Sequence, residues 1–571
     1  MSASVNSTNV ESRLLQMIGV HLLQTSAGFD RDTDLFEVGL DSMAIMQLLL
    51  LIEEEFGVVI PVESVSRENF KTTRAVAALI RERGGWGEEV EDEEVAEPVV
   101  VVGVSAEEQS QALKVEELSS AFGRLPLRHA DYFVVGFDQM LRGHGQKGHI
   151  AHSFLEVASL PDVAALRRLI GELPKVFPLL NARLKRRWMV GLPEWVPADR
   201  LLPLELKLWS QKGSAGRLKA EGAVEFDELQ PLLEDLVNKT LRRERDGWVN
   251  AGFELIEKAD GGVLLVFSWS HLIFDGVGAE LFLQELDRLW RGDTVEVIPP
   301  YLTSEPVKAL PWGERFRAVT PMIKRFYQIM EKRFECLGAR QFVPGRTRFE
   351  VVTLTKEQTL EVQKRSSAVS GPLINMPFHL ACAMRAHWRV FEHRGETPGS
   401  LMCCVPVQIR RKGARGPVFQ NQLTMFFGSV DGEDLKSLEG TARVLQEQHA
   451  QFLKDRLDEA FQQLMWMMRP MPPGLHMKFI QFQMKGLFTS FYHSNTGPFA
   501  PSLDEFLGVP VTNAYHVPGI STPPGTGIFA NEKHGRLVLT LCWKEGAMTD
   551  AERSVFMEQL LTDLGARSAE G

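Results

Sequence analysis

Apolar positions set the outline of the chain. From Val10 to Arg83 they recur at helical spacing. Leu14, Leu15, Ile18, Leu22 and Leu23 fall in a stretch Val10–Leu23. Ile45, Leu48, Leu49, Ile52 and Phe56 fall in Ser42–Phe56, and Val76, Leu79 and Ile80 in Thr73–Arg83. The spacing predicts helices over all three, with a polar loop at Asp32–Gly39. The pattern stops at Gly84-Gly85-Trp86-Gly87, and an acidic run, EEVEDEEVAEP, leads into polar sequence as far as about Glu117. Like charges keep such a stretch solvated and extended, and about thirty residues span roughly 30 Å, enough to let a small domain swing. Inside it, Val99–Val104 reads equally as a short strand or a docking patch.

After Leu118 strands and helices alternate. Strands are predicted over Ser153–Val157, Val263–Phe267, Arg348–Thr353, Leu401–Ile409, Val511–His516 and Arg536–Trp543. Helices are predicted over Asp162–Leu173, Thr355–Ala368, Asn375–Phe391 and Asp550–Leu564. Thr303–Gly345, broken by prolines and rich in basic and aromatic residues, reads as a crossover. The expected domains are therefore 1–84, a linker over 85–117, and 118–571, the last with lobes at about 118–300 and 301–571.

Two stretches carry candidate chemistry. In VLLVFSWSHLIFDGVGAELFLQELDRL, His271 ends a strand and Asp275-Gly276 turns the chain into a helix. A neutral imidazole there can take a proton from an attacking hydroxyl or amine. Asp-Gly is also ordinary turn chemistry, so this stretch alone fits a core histidine beside a turn equally well. In LFEVGLDSM, Ser42 lies where a loop becomes a helix. The free N–H groups and the positive end of the helix dipole suit a phosphodiester at that point, and Gly39 permits the tight entry. The plainer alternative is a serine that caps the helix.

His-x-x-x-Asp-Gly at a strand end resembles the core motif of the condensation-domain and acyltransferase superfamily. Its bacterial members usually read His-His-x-x-x-Asp-Gly, with the second His catalytic; here Ser270 holds the first position and His271 the second. The segments Phe177–Leu184 and Ser494–Gly497 are also similar to that superfamily, the latter to its turn after a late strand. VPVQIRR followed by Asn421 resembles its second signature, which implies that Arg410, with Arg411 as the less favoured candidate, pairs with Asp275; the plainer alternative is that both arginines belong to a solvated basic loop. A buried carboxylate needs such a cation, and a guanidinium fork can hold it from two sides. Asp275, Gly276 and Arg410 are thus expected to be structural, and His271 catalytic. LFEVGLDSM, with the EEEFGVVIP ending, resembles the attachment motif of acyl and peptidyl carrier domains and implies 4'-phosphopantetheine on Ser42. A phosphopantetheinyl transferase must then act on the chain, and an acyl-loading enzyme or upstream synthase must charge it.

Together the resemblances imply a small all-α four-helix carrier domain followed by an α/β two-lobed fold like chloramphenicol acetyltransferase. They imply an enzyme that moves an acyl group from a phosphopantetheine thioester to an amine or hydroxyl in secondary-metabolite or lipid biosynthesis. One alternative is an inactive module that recruits partners to the carrier. Another is an acyl-CoA-dependent O-acyltransferase whose carrier holds the acceptor. An epimerase fits less well, because Gly276-Val277-Gly278 stands where a Ser-Trp-Arg element is usual.

Composition narrows the picture further. A net charge of −11 without a basic stripe argues against nucleic acid, and no apolar run approaches a membrane span. The N-terminus lacks the pattern of a signal peptide. Five cysteines, none in CxxC spacing, suggest neither a disulfide framework nor a metal site, and point to a reducing cytoplasm. Cys403 and Cys404 should face opposite sides of one strand. His493 and His516 lie at possible strand ends and read as packed or solvated. The Met-rich patch Met465, Met467, Met468, Met471 and Met477 reads as core, with an apolar acyl tunnel as the alternative.

Overall fold

The computed structural model describes residues 10–25, 28–40, 42–61, 64–84, 125–127, 129–186, 193–244, 247–293, 310–371, 375–411 and 413–566. The expected linker and its Val99–Val104 run lie outside them.

The first domain contains helices α1 (Val10–Met17, prolonged by a π-helical turn Ile18–Leu22), α2 (Ser42–Phe56) and α3 (Thr73–Glu82). They close on the positions that the spacing marks: Leu14, Ile18, Ile45, Leu48, Ile52, Val76 and Ile80 are fully buried against one another. Thr72 caps α3, its hydroxyl oxygen accepting from the Ala75 N–H at 3.1 Å. The loop before α2 is tied at its base, Leu35 N–H to Lys71 O and Leu40 N–H to Leu35 O, each 2.8 Å. Gly39 there takes φ 111°, a conformation that strains any residue with a side chain.

The large domain is α/β. Its strands in chain order are β1 (Leu125–Pro126), β2 (Ile150–Val157), β3 (Arg183–Arg186), β4 (Pro193–Val196), β5 (Leu206–Gln211), β6 (Val224–Phe226), β7 (Ala251–Glu257) and β8 (Val263–Ser270), then β9 (Thr347–Thr353), β10 (Ser400–Gln408), β11 (Leu423–Asp431), β12 (Tyr492–Pro498), β13 (Glu505–Phe506), β14 (Val509–Val517), β15 (Thr526–Lys533) and β16 (Arg536–Lys544). Its helices are α4 (His129–Gly143), α5 (Val163–Val176), α6 (Leu229–Asn238), α7 (Gly276–Trp290), α8 (Trp312–Glu331), α9 (Lys356–Ser370) and α10 (Met376–His393), then α11 (Leu438–Lys454), α12 (Leu457–Met468), α13 (Pro473–Gln483) and α14 (Asp550–Leu564).

The larger sheet runs β13-β14-β2-β8-β7-β5-β6, and a second runs β12-β15-β16-β9, with β10 and β11 as a separate antiparallel pair. β2 pairs along its whole length with β8, from Ile150 opposite Ser270 to Val157 opposite Val263. On its other side β2 pairs with β14. The first lobe, expected to end near residue 300, therefore takes two strands from beyond residue 500. Alternation in the sequence marks β14 as a strand but cannot say which sheet receives it.

Two further expectations change. The crossover contains a 20-residue helix, α8, with Pro321 inside it. Its buried face, Arg315, Val319, Met322 and Ile329, keeps a 4-3-7 spacing that the prolines and charges disguise. Ser494–Gly497 lies within β12 rather than in a turn, and the strand absorbs its turn residues through a register shift between Asn495 and Pro498.

Candidate active site

The connection His271–Asp275 is held between β8 and α7 by aromatic packing. Phe267 of the strand stacks on Phe282 of the helix at 5.3 Å between ring centres, and Phe274 lies 5.9 and 5.2 Å from them. All three are fully buried, each contributing roughly 1.5–3 kcal/mol, so the connection has little freedom.

His271 is fixed through one nitrogen. Its Nδ1 lies 3.0 Å from Asn421 Oδ1. Asn421 Nδ2 donates to Asp131 Oδ1 and to the His271 carbonyl, both at 2.9 Å, and the Asn421 backbone N–H donates to the same Asp131 oxygen at 2.8 Å. With its nitrogen committed, the amide turns its oxygen to the ring. This network assigns the proton to Nδ1 and leaves the lone pair of the neutral ring on Nε2. His149 stacks on the ring at 4.2 Å and 16°, and its carbonyl accepts from the His271 N–H at 3.0 Å. Burial lowers the pKa of His271 below the ordinary imidazole value, against the opposing pull of the Asp275 charge and the Asn421 bond. Burial and the neighbouring His271 push His149 well down too.

Asp275 is closed on every side. It caps α7, with Oδ1 accepting from the Gly278 N–H at 2.7 Å, and Oδ2 accepts from the Gln422 N–H at 2.8 Å. Arg410 Nη1 reaches Oδ1 at 2.8 Å and Oδ2 at 2.6 Å. The guanidinium does not use two nitrogens on the carboxylate. Its Nε and Nη2 instead donate to the carbonyls of Pro417 and Gln420, at 2.8 and 3.3 Å. Asp275 and Arg410 are both buried, so one ion pair ties α7 to the 409–422 loop between β10 and β11. At Gly276 an added Cβ would come only to 3.4 Å from Thr496 Cγ2, whereas at Gly278 it would come within 2.4 Å of the Val418 carbonyl. The packing thus demands the glycine two residues beyond the motif. Ser270 is buried at the end of β8, its N–H bonded to the Asn250 carbonyl at 3.0 Å.

A cavity of about 1430 Å³ is lined by His271, Asp275, Arg410 and His149, and by Phe36–Leu40 and Ile45 of the first domain. Those first-domain residues flank Ser42, which opens α2. The two domains touch beside the cavity, where Arg411 Nη1 donates to the Gly19 carbonyl at 3.4 Å and a Cβ on Gly413 would lie 2.9 Å from the Val38 carbonyl. Met465 and Met468 line the cavity, while Met477 is buried against Phe137 and Leu141, so the Met-rich patch divides between wall and core. Cys403 is buried and Cys404 faces the cavity. His493 is held near a pKa of about 4 by burial, its Nδ1 bonded to the Ile528 carbonyl at 3.0 Å. His516 Nε2 lies 2.9 Å from Glu280 Oε1 and its Nδ1 3.1 Å from Ser153 Oγ, and both His516 and Glu280 line the cavity.

Comparison with known proteins separates the two domains. Residues 13–80 match the family model described as "Phosphopantetheine attachment site". Over 81 residues, 14% of this chain and 91% of the relative, the chain is 32% identical to aminoacyl carrier protein 2 of Bradyrhizobium diazoefficiens. Through its N-terminal domain the chain belongs to the phosphopantetheine carrier family. The carrier domain takes 4'-phosphopantetheine, and its loop before α2 fits that group: Gly39 keeps the approach free of a side chain, and the flanking residues open on a long cavity. The large domain is similar in fold to the trichothecene 15-O-acetyltransferase of Fusarium sporotrichioides (TM-score 0.54, 14% identity, 78% of this chain and 95% of that one). It is likewise similar to the first condensation domain of the calcium-dependent antibiotic synthetase (0.53, 15%, 78% and 96%) and to the condensation domain of the Monacolin K polyketide synthase (0.51, 12%, 78% and 97%). The chain thus joins a carrier domain to a condensation-domain fold.

Sequence reasoning does not assign roles to Asp131, His149 or Glu280. Each acts through a partner more than a hundred residues away, and no local period marks it. Asn421, noted only as part of a signature, proves to be the residue that orients the His271 ring.

Proposed function

We propose that this chain is an acyltransferase whose own carrier delivers the acyl group within the same molecule. The observation that supports it is the shared cavity: the residues flanking Ser42 and the ring of His271 line one continuous wall. Phosphopantetheine on Ser42 would supply a terminal thiol that carries the acyl group as a thioester. Phe36–Leu40 would guide the arm, and the apolar wall would exclude water from the thioester. His271 Nε2 would take the proton from the attacking amine or hydroxyl and return it to the leaving group, and the thioester on the arm would supply the activated acyl carbon and a thiol able to leave. Asn421 holds the ring in the tautomer this needs. Asp275 and Arg410 take no part in proton transfer and fix the two segments that meet at the ring.

The reading is tested by incubating the chain with CoA and a phosphopantetheinyl transferase and weighing it intact. One phosphopantetheine should add to the wild-type chain and none to Ser42→Ala, and the acyl-loaded wild type should lose its acyl mass when a nucleophile is supplied. Modification of Ser42→Ala, or a loaded chain inert to both amines and alcohols, would refute it.

A further inference from the structure

Seven large apolar side chains project into solvent from two helices. On α8, Trp312, Phe316, Ile323 and Tyr327 are 60, 56, 38 and 62% exposed; on α13, Leu475, Phe479 and Phe482 are 56, 49 and 82% exposed. Both sets keep helical spacing, so each forms a stripe along one helix face. The helices converge at their C-terminal ends, where Lys485 Nζ donates to the Met330 carbonyl at 3.0 Å. The opposite side of α8 is committed to the core through Met322 and Ile329.

Ile323, Tyr327 and Phe479 also line the cavity. The stripes are therefore the outward continuation of its wall, a rim around an opening. Charge follows the same pattern. Arg317, Lys324, Lys478 and Lys485 are exposed on or just beyond these helices, and α8 bears acids only toward its ends, at Glu314 and Glu331. Between Glu459 and Asp504 the sequence has no acidic residue at all, in a chain of net charge −11. Contacts of the carrier fall on Arg411, Gly413 and α11.

Protruding aromatic side chains with basic residues beside them suit the interface of an anionic bilayer, where aromatic rings sit at headgroup level and cations meet lipid phosphates. Projecting side chains need no shaped partner to receive them. We propose that this rim docks the protein on an anionic lipid surface and admits a lipid-like substrate from the bilayer directly into the cavity. The second half of this statement rests on the cavity being the transfer channel; the docking itself does not. No described helix is long and apolar enough to cross a membrane, so the contact is peripheral.

Co-sedimentation of the full chain with vesicles tests the proposal. The wild type should pellet with vesicles of phosphatidylcholine plus phosphatidylglycerol, much less with phosphatidylcholine alone, and less as salt rises. A variant carrying Trp312→Ser, Phe316→Ser, Leu475→Ser and Phe482→Ser changes only exposed positions outside the cavity wall. It should melt like the wild type yet bind the anionic vesicles at least about tenfold more weakly. His271→Ala should bind as the wild type does, so failure of the transfer chemistry and failure of docking are told apart. Wild type left in solution with both vesicle types, or a variant that binds equally well, would overturn the proposal. So would finding that these residues mediate self-association or capture of an acidic carrier protein while vesicles are ignored.

Discussion

Two polar nodes only four residues apart in the chain, one at His271 and one at Asp275, reach across to the same 409–422 loop, yet they are finished differently. At Asp275 both oxygens are bonded and the arginine opposite spends its nitrogens on the carboxylate and on backbone carbonyls. At His271 the described hydrogen bonds of the ring all run through Nδ1, and the ring lines the cavity. A saturated buried node can only stabilise. A node with one nitrogen turned to a cavity can do chemistry. On the proposed function, the Asp275 node is expected to matter for folding and the His271 node for turnover, even though one sequence motif joins them.

The sharpest way to break this contrast is His271→Ala. Loss of a positioned base should lower acyl transfer by about 10²–10⁴-fold while the melting temperature and carrier loading stay close to wild type. A wild-type rate in a loaded-chain assay would move the chemistry elsewhere. Asp275→Ala should do the opposite and show first in stability. It leaves a buried arginine unpaired, at a cost of about 3–5 kcal/mol by denaturant titration. The double change with Arg410→Met should cost less than the two single changes added together; strict additivity would mean that the pair is not coupled.

Asn421→Ala joins the nodes more subtly. The ring keeps its place against His149 but loses the partner that selects its tautomer, so a drop in rate of roughly tenfold or more is expected with little change in binding. In the wild type, burial lowers the pKa of His271, so its base form persists as pH falls and the acid limb of the rate profile should lie below the usual imidazole range of about 6.5. A limb above that value would contradict the described surroundings. Ser270→Ala should matter least, with a rate within about twofold, because the residue is buried at the end of β8 and does not line the cavity. A large loss would mean that the hydroxyl has a part in the reaction.

Much of this was legible in the sequence. The carrier helices followed from the 3.6-residue period because a small helical domain has one core and each apolar stripe faces it. His271, Asp275 and Arg410 could be picked out through their resemblance to the superfamily's two motifs, and the structure pairs the last two. What stayed hidden depends on distant pairing. Nothing local in Gly148-His149-Ile150 tells that its imidazole will lie on another ring. Nothing around Asp131 tells that its carboxylate will hold an asparagine 290 residues away. Gly276 drew notice through the motif, but the tighter constraint falls on Gly278, whose neighbour is a carbonyl of a different segment. Helix α8 was masked because Pro321 interrupts it and its apolar residues fall on the exposed face as well as the buried one, so that no single stripe stands out.

The strand β14 also sets a timetable. The sheet that holds His271 needs β14 beside β2, and the ribosome makes Val509 roughly 350 residues after Val157. At ordinary synthesis speeds that interval is about 20–70 s. The carrier domain, whose helix α3 ends at Glu82, is out of the ribosome long before then and can meet its phosphopantetheinyl transferase while the large sheet still waits for its partner strand. Each new chain would thus be equipped with its arm before it has anywhere to put it.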